Sequence, residues 1–291
     1  MKRYSTAGQV QPGRAERERQ TAASLGDGEL RAYLARTGHS QAVIPGPASL
    51  QSLHLAHATH IPFENLDILL KRPILIDLPS LVDKLVANKR GGYCYEQNLL
   101  FAAVLQKLGF AFTPLAARVR YRAHTVLPRT HMLLLVHFGD GDWIADVGFG
   151  GEGLLLPVPL RSGIETRHYA WTYRVLDQAG QWLLQSRRND DWTDLYAFTT
   201  EPQFPADYEM ANHYMSTHPN SRFVQTLTVQ LPHPEVRHVL RNLELIEDRG
   251  LSSSSRMLAG EEERLQVLAS VFGLHFPEGT RFRGPHAAVH V

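Results

Sequence analysis

The chain carries a single cysteine, Cys94, in "RGGYCYEQN" (residues 90–98). A lone cysteine makes no internal disulfide and cannot build a four-thiolate zinc site. Its plainer reading is a small buried hydrophobe, since free cysteine is among the most buried residue types. Its chemical reading is a nucleophile. The run that follows reads as a helix. A thiol there meets unpaired backbone N–H groups and the positive end of the helix dipole, both of which favour negative charge. A cysteine at a helix N-terminus beside a cationic imidazole is readily ionised. Gly91 and Gly92 can take conformations closed to other residues and let a substrate approach the backbone.

A partner for the thiol must come from 15 histidines. His54, His57 and His60 are spaced by three, which invites a metal reading, but no carboxylate completes a usual zinc motif. His131 stands in "PRTHMLLLVHF", at the start of an apolar strand. Asp146 follows in "WIADVGFG". A carboxylate among Ile, Ala, Val and Phe needs a partner if buried. It is either a turn aspartate bonded to backbone or the residue that orients a catalytic imidazole. If "GDGD" (139–142) is a tight four-residue turn, Asp146 falls opposite Leu135, about 13 Å along the strand from His131. A register shift or bulge would then have to bring the two together. Glu64 in "PFEN" and Arg90 in "RGGYC" are charges inside apolar motifs, and a pair between them is expected to brace the cysteine loop.

These residues need elements to hold them. Residues 1–25 are polar, without apolar periodicity, and read as a mobile tail. Four helices follow, in "GELRAYLARTG", "PASLQSLHLAHATHIPF", "LPSLVDKLVANKR" and "CYEQNLLFAAVLQKLGF", with Gly38 and Gly109 as terminators. The period then changes. "PLAARVRYR", "HMLLLVHF", "WIADVGF", "AWTYRVLD" and "QWLLQSR" read as short strands of an antiparallel sheet or small barrel. After about residue 211, "SRFVQTLTVQL" and "RHVLRNLELIE" read as strands, "SSSS" (252–255) as a turn and "GEEERLQVLASVFG" as a helix.

The 291 residues suit one large domain or two to three smaller ones, and the formal net charge of +1 argues for neither a nucleic-acid partner nor an anionic membrane surface. No stretch is long and apolar enough for a transmembrane helix, and the N-terminus lacks the apolar core of a signal peptide. With no disulfide to form, a cytoplasmic location is expected. Nothing in the sequence sets an oligomeric state.

In order along the chain, "IPFENLDILL" (61–70), "RGGYCYEQN", "ARVRY" (117–121), "RTHMLLLV" (129–136), "IADVGFGG" (144–151) and "NHYMSTHPNSRF" (212–223) resemble the arylamine N-acetyltransferase family. The resemblance runs from about residue 28 to 275 and leaves the N-terminal tail outside. It implies an α+β fold: a helical bundle over 26–110 carrying the cysteine, an antiparallel β-barrel over 111–210 carrying the histidine and aspartate, and an α/β lid over 211–291. It implies a cysteine-protease-like triad of Cys94, His131 and Asp146, and it leaves the histidines at 54–60 as scaffold. It implies acetyl-coenzyme A as co-substrate without a metal, and an arylamine, hydrazine or N-hydroxyarylamine as acceptor, by a two-step cycle through acetyl-Cys94. Phe63, Phe149 and Phe223 are then expected to line the acceptor pocket, with Val119, Thr130, Gly148 and Gly150 beside the acyl donor. A Cys-His-Asp site also serves cysteine amidases and transglutaminase-like hydrolases, and the same fold could serve an amide synthase fed by a carrier protein. Dependence on free acetyl-coenzyme A separates these.

Overall fold

The computed structural model describes residues 24–188 and 191–283. Residues 1–23 of the expected tail lie outside them, as do residues 284–291 of the expected lid. Leu25, placed by sequence at the end of the tail, is instead buried in the helical core.

Helix α1 spans Asp27–Arg36 and stops before Gly38, whose φ of +67° suits a residue without a side chain. Helix α2 spans Pro47–His60, with proline in its first turn. It ends because Ile61 precedes Pro62 and is extended, at φ −111° and ψ 106°. Strand β1 (Phe63–Glu64) and the single turns α3 (Leu66–Leu69) and α4 (Leu78–Leu81) follow. The third expected helix continues from α4 as a π-helical stretch, Val82–Ala87. Helix α5 spans Cys94–Lys107, and Gly109 at φ +85° turns the chain away. Its Leu100, Phe101, Val104 and Leu105 have no exposed surface. Burial contributes about 1.5–3 kcal/mol for each such side chain.

The chain then forms strands β2 (Ala111–Val119), β3 (Arg129–Phe138), β4 (Gly141–Ala145), β5 (Val158–Pro159), β6 (Thr166–His168), β7 (Trp171–Gln178), β8 (Gln181–Arg188) and β9 (Asp191–Phe198). They pair antiparallel in the order β5-β4-β3-β2-β9-β8-β7-β6. A bridge from Ser162 to Val175 nearly closes this sheet into a barrel. Strand β3 is buried on both faces: Met132, Leu134 and Val136 join the helical core under α5, while Leu133 and Leu135 point into the barrel. That explains its unbroken apolar run, which one-sided alternation would not give.

The C-terminal part holds helix α6 (Pro205–Thr217), the turn α7 (Arg222–Gln225), strands β10 (Thr228–Pro232), β11 (Arg237–Arg241), β12 (Glu244–Asp248) and β13 (Ser253–Met257), and helix α8 (Glu261–Phe272). Its sheet runs β1-β10-β11-β12-β13, so the edge strand comes from the N-terminal "PFEN". Four readings differ from expectation. "SRFVQTLTVQL" is a strand only from Thr228, because Ser221 caps a helical turn over Arg222–Gln225 first. "RHVLRNLELIE" is a hairpin turning at Asn242, whose φ of +52° is a conformation asparagine tolerates. The serines at 253–255 form an edge strand held by pairing to β12; all of β13 is exposed, so no alternation marked it. Residues 205–217, read in part as barrel and without a helix, are helical, with Pro205 in the first turn.

Charges brace the cysteine loop. Arg90 donates two bonds to Glu64, Nη2–Oε1 at 2.6 Å and Nε–Oε1 at 3.1 Å, and a third from Nη1 to Asp67 at 3.3 Å. Lys84 bridges Asp67 (2.7 Å) and Glu96 (2.6 Å), and Glu96 accepts the Tyr93 N–H at 3.0 Å. Glu64 is wholly buried. Breaking such a pair by removing one partner costs about 3–5 kcal/mol, against at most about 1 for an exposed pair. Glu64→Gln is therefore expected to lower the melting temperature by several degrees and to slow reaction at Cys94. An unchanged melting temperature, read by calorimetry, would refute the bracing role.

Candidate active site

Cys94 is the first residue of α5. The first i→i−4 bond of the helix runs from Gln97 N to Tyr93 O at 3.0 Å, so the amides of Cys94 and Tyr95 precede the helical ladder. The glycines before it serve the backbone rather than a substrate. A side chain on Gly91 would strike the Pro62 carbonyl, and one on Gly92 would lie 2.7 Å from Glu96. From the other side, Gly148 packs on the cysteine itself: a Cβ there would stand 2.8 Å from Cys94 Cα and 2.6 Å from Asn98 Nδ2.

Strands β3 and β4 supply the other two residues. Their hairpin turns on Gly139-Asp140, with Phe138 opposite Gly141 and Leu134 opposite Ala145. The expected four-residue turn is thus shorter by two, and continuing the ladder sets Asp146 against Leu133 rather than Leu135. The offset from His131 falls to about 7 Å along the strand, and same-face diagonal neighbours at that spacing can touch. No bulge is needed in this pair; the bulge in β3's ladder lies on its other side, at Ala117/Arg118 of β2.

His131 Nε2 lies 2.7 Å from Asp146 Oδ2. Its Nδ1 edge is left for Cys94, whose thiol also points at the Thr130 carbonyl, Sγ–O 3.6 Å. All three residues are buried. Burial opposes the charged imidazole, but the Asp146 charge and hydrogen bond outweigh it and Cys94 adds to them, so His131 is pushed up to about 10. Burial likewise opposes the Asp146 carboxylate. His131, the Asn98 amide (3.0 Å) and the Gly148 N–H (2.9 Å) hold it below the usual carboxylate range.

Two supports were missed from sequence. Asn98 sits one helical turn after Cys94. It donates to Asp146 and to Met132 O (2.8 Å) and accepts from Val147 N (3.1 Å), tying helix, strand and loop together. The i, i+4 spacing in "CYEQN" was a legible signal. His54, read as scaffold, accepts the Asp146 N–H on Nε2 (3.1 Å) and reaches Leu155 O through Nδ1 (3.0 Å). Burial pushes it down to about 4, so it is neutral and can accept. His57 is likewise neutral, pushed down to about 3 by burial, and donates to Gln97 (2.6 Å). Gln97 in turn donates to Pro62 O and Gly92 O. These ring nitrogens are engaged in hydrogen bonds, which leaves them no lone pair aimed at a shared metal.

A cleft of about 730 Å³ opens above the thiol. Phe63, Val119, Thr130, Gly148, Phe149 and Phe223 line it with Cys94 and His131. Gly150 does not. It lies behind the wall, against Gln230 and Phe63, in a small adjoining void. Phe63 and Phe223 stand 5.8 Å apart, and Phe149 meets His131 edge-on at 5.2 Å.

A family pattern described as N-acetyltransferase matches residues 48–280. The chain belongs to the arylamine N-acetyltransferase family. It is an acyltransferase. It is similar to the arylamine N-acetyltransferase / N-hydroxyarylamine O-acetyltransferase of Salmonella typhimurium, 41% identical over 195 residues that cover 67% of this chain and 69% of the relative. The solved arylamine N-acetyltransferase of Nocardia farcinica superposes with a TM-score of 0.80 at 41% identity, covering 85% of this chain and 90% of that one. The Mycobacterium marinum enzyme in complex with CoA superposes with a TM-score of 0.80 at 34% identity, covering 84% and 92%. No helix among the described residues is long and apolar enough to cross a membrane.

The raised His131 value fixes a sign for stability. The ion pair's contribution is fully present below the unfolded value near 6.5 and is lost as pH rises through about 10. In thermal melts, the gap between wild type and Asp146→Asn is expected to be widest near pH 6 and to shrink steadily toward pH 10. A gap independent of pH would mean that Asp146 does not hold the imidazole charged.

Proposed function

We propose that the chain transfers acetyl groups from acetyl-coenzyme A to the nitrogen of arylamines, hydrazines or N-hydroxyarylamines in the cytoplasm, with Cys94 carrying the acetyl group between the two. The observation that carries this reading is the continuous line of thiol, imidazole and buried carboxylate at the floor of an aromatic-walled cleft. That the M. marinum relative binds CoA supports the choice of donor.

In the first step Cys94 Sγ attacks the thioester carbonyl. The tetrahedral oxyanion lies near the free amides at the α5 N-terminus, which donate to it. The coenzyme A sulfur leaves with the proton held by His131 Nδ1. Bond made and bond broken are both thioesters, so this step is close to balanced. In the second step the acceptor nitrogen attacks acetyl-Cys94, gives its proton to His131 and releases the thiolate. The amide formed draws the cycle forward. Asp146 keeps its bond to Nε2 throughout, which aims Nδ1 at the sulfur and stabilises the imidazolium.

Phe63, Phe149 and Phe223 give the acceptor a flat apolar slot. Val119, Thr130 and Gly148 border the acyl group, whereas Gly150 acts through packing on Gln230. A hydrolase would need water at the acetyl carbonyl, and the aromatic walls favour an aryl ring over water.

Two outcomes test this. Incubation with acetyl-coenzyme A and no acceptor should add one acetyl group to the peptide containing Cys94, and intact-mass analysis of Cys94→Ala should show none; an adduct on that variant would sink the covalent step. With one aromatic amine, Phe63→Ala should raise the acceptor KM and the share of acetyl groups lost as free acetate. The same product-to-acetate ratio in both proteins would place the slot elsewhere.

A further inference from the structure

Asp146 leads into a loop, "GFGGEG" (148–153), in which four of six residues are glycine. Glycine loses more conformational freedom on folding than any other residue, so such a loop needs bonds from outside to hold one shape. The loop also carries Phe149, whose ring stands 5.2 Å from both the His131 and the Tyr196 rings. The aim of that ring depends on the peptides that follow it.

Those peptides are held by a buried arginine. Arg237, on β11, is 1% exposed. The carboxylate it approaches, on Glu152, lies 3.7 Å away, farther than its main-chain partners. Its Nη1 donates to the Gly151 carbonyl, and its Nη2 donates to the Gly153 carbonyl (2.9 Å) and to the Tyr173 hydroxyl. The guanidinium sits 4.1 Å from the centre of the Trp171 ring. Tyr173, on β7, donates to the same Gly153 carbonyl at 2.8 Å. Gln230, on β10, accepts the Gly151 N–H. Gly151 thus has both its polar groups bound by the C-terminal sheet. A Cβ on Gly150 or Gly151 would stand 2.5 or 2.9 Å from Gln230 Oε1, so glycine is what lets the sheet come this close. A buried arginine could serve only to bolt the sheet to the barrel. Apolar packing does that without desolvating a charge. Here the fork is instead spent on loop carbonyls two and four residues beyond Phe149.

We propose that Arg237 is a positioning residue for the acceptor side of the cleft: with Gln230 and Tyr173 it fixes the glycine loop, so that Phe149 stays against His131 and the acetyl group meets an aromatic amine in preference to water. The proposal rests on the acetyl-transfer reading above and deepens it. A planar guanidinium can hold two carbonyls and a ring face at once, which the point charge of a lysine cannot. A slot discriminates best when its walls are fixed before the acceptor arrives.

The test uses acetyl-enzyme made with acetyl-coenzyme A and then freed of donor, so that donor binding plays no part. Its discharge is followed by intact mass, in buffer alone and with increasing arylamine, well below the melting temperature of every variant. Arg237→Gln should shorten the lifetime in buffer and raise the arylamine concentration for half-maximal discharge, each by about tenfold, as when charge-assisted bonds are lost. Arg237→Lys should recover only part of this. Tyr173→Phe, which removes one hydroxyl, should move both readings the same way by about threefold, and it takes the place of Arg237→Gln if that variant does not fold. Phe149→Ala should reproduce the Arg237→Gln changes, and the double variant should add little to either, because both act on the same ring. Lowered melting temperatures with unchanged discharge would make Arg237 a structural bolt and overturn the proposal. Fully additive effects of Arg237→Gln and Phe149→Ala would overturn it too. A wild type whose Cys94 takes no acetyl group, or whose adduct no arylamine discharges, overturns the functional reading itself, and this proposal with it.

Discussion

A carboxylate withdrawn from water must be given donors by the chain around it, and Asp146 takes three: the His131 ring, the Asn98 amide and the Gly148 N–H. Much of the site follows from that requirement. The ring bond turns the other imidazole nitrogen toward Cys94. The Asn98 bond fixes the carboxylate to the helix that carries the thiol. The Gly148 bond turns the chain back over Cys94 two residues later, a turn that short polar side chains favour. Even the Asp146 amide is spoken for, by a histidine on α2 that burial keeps neutral. Removing one member of a buried pair leaves an uncompensated charge, so none of these partners can be changed alone without cost.

The Glu64–Asp67–Lys84–Arg90–Glu96 network does for the cysteine loop what Asp146 does for the imidazole. It joins four segments: β1 with α3, the π-helical stretch, the cysteine loop and α5. Burial pushes Glu96 up to about 7, against the pull of Lys84, so its charge depends on that lysine staying in place. "PFEN" divides its labour in the same region. Phe63 faces the cleft, Glu64 holds Arg90, and Asn65 donates to Phe223 O (2.7 Å) and Thr226 O (2.8 Å). The motif thereby joins the cysteine loop to the C-terminal sheet, which borrows β1 as its edge.

What the sequence disclosed follows physical lines. The long helices other than α6 were visible because apolar spacing, Pro47, Gly38 and Gly109 marked their bodies and ends. Cys94 and Asp146 stood out because a lone thiol at a helix start and a carboxylate among aliphatic residues are chemically out of place, but their grouping with His131 was implied only by the family resemblance. The register between His131 and Asp146 was not, because Gly139-Asp140-Gly141-Asp142 allows more than one turn length and only the ladder selects it. Strand β9, "DWTDLYAF", was hidden by its mixed outer half, although its inner half is buried in the barrel.

Glycines set the last constraint, by sealing the nucleophile rather than opening it. Gly91 and Gly92 admit the Pro62 backbone and the Glu96 side chain from one side, and Gly148 admits the Cys94 backbone from the other. A methyl group at any of these positions would force the α5 terminus away from its neighbours. The terminus is therefore packed closely on both sides, and the thiol lines the cleft. That confinement suits a covalent intermediate. An acetyl group carried by Cys94, as proposed, would be met by acceptors entering through the cleft, where orientation of an amine can supply an effective molarity on the order of 10⁵ M or more. Water, present at roughly 55 M in bulk but without an aromatic face to hold it, has no comparable advantage. On the proposed cycle, selectivity for the amine would rest on where the acetyl group is buried as much as on the reactivity of the thiol.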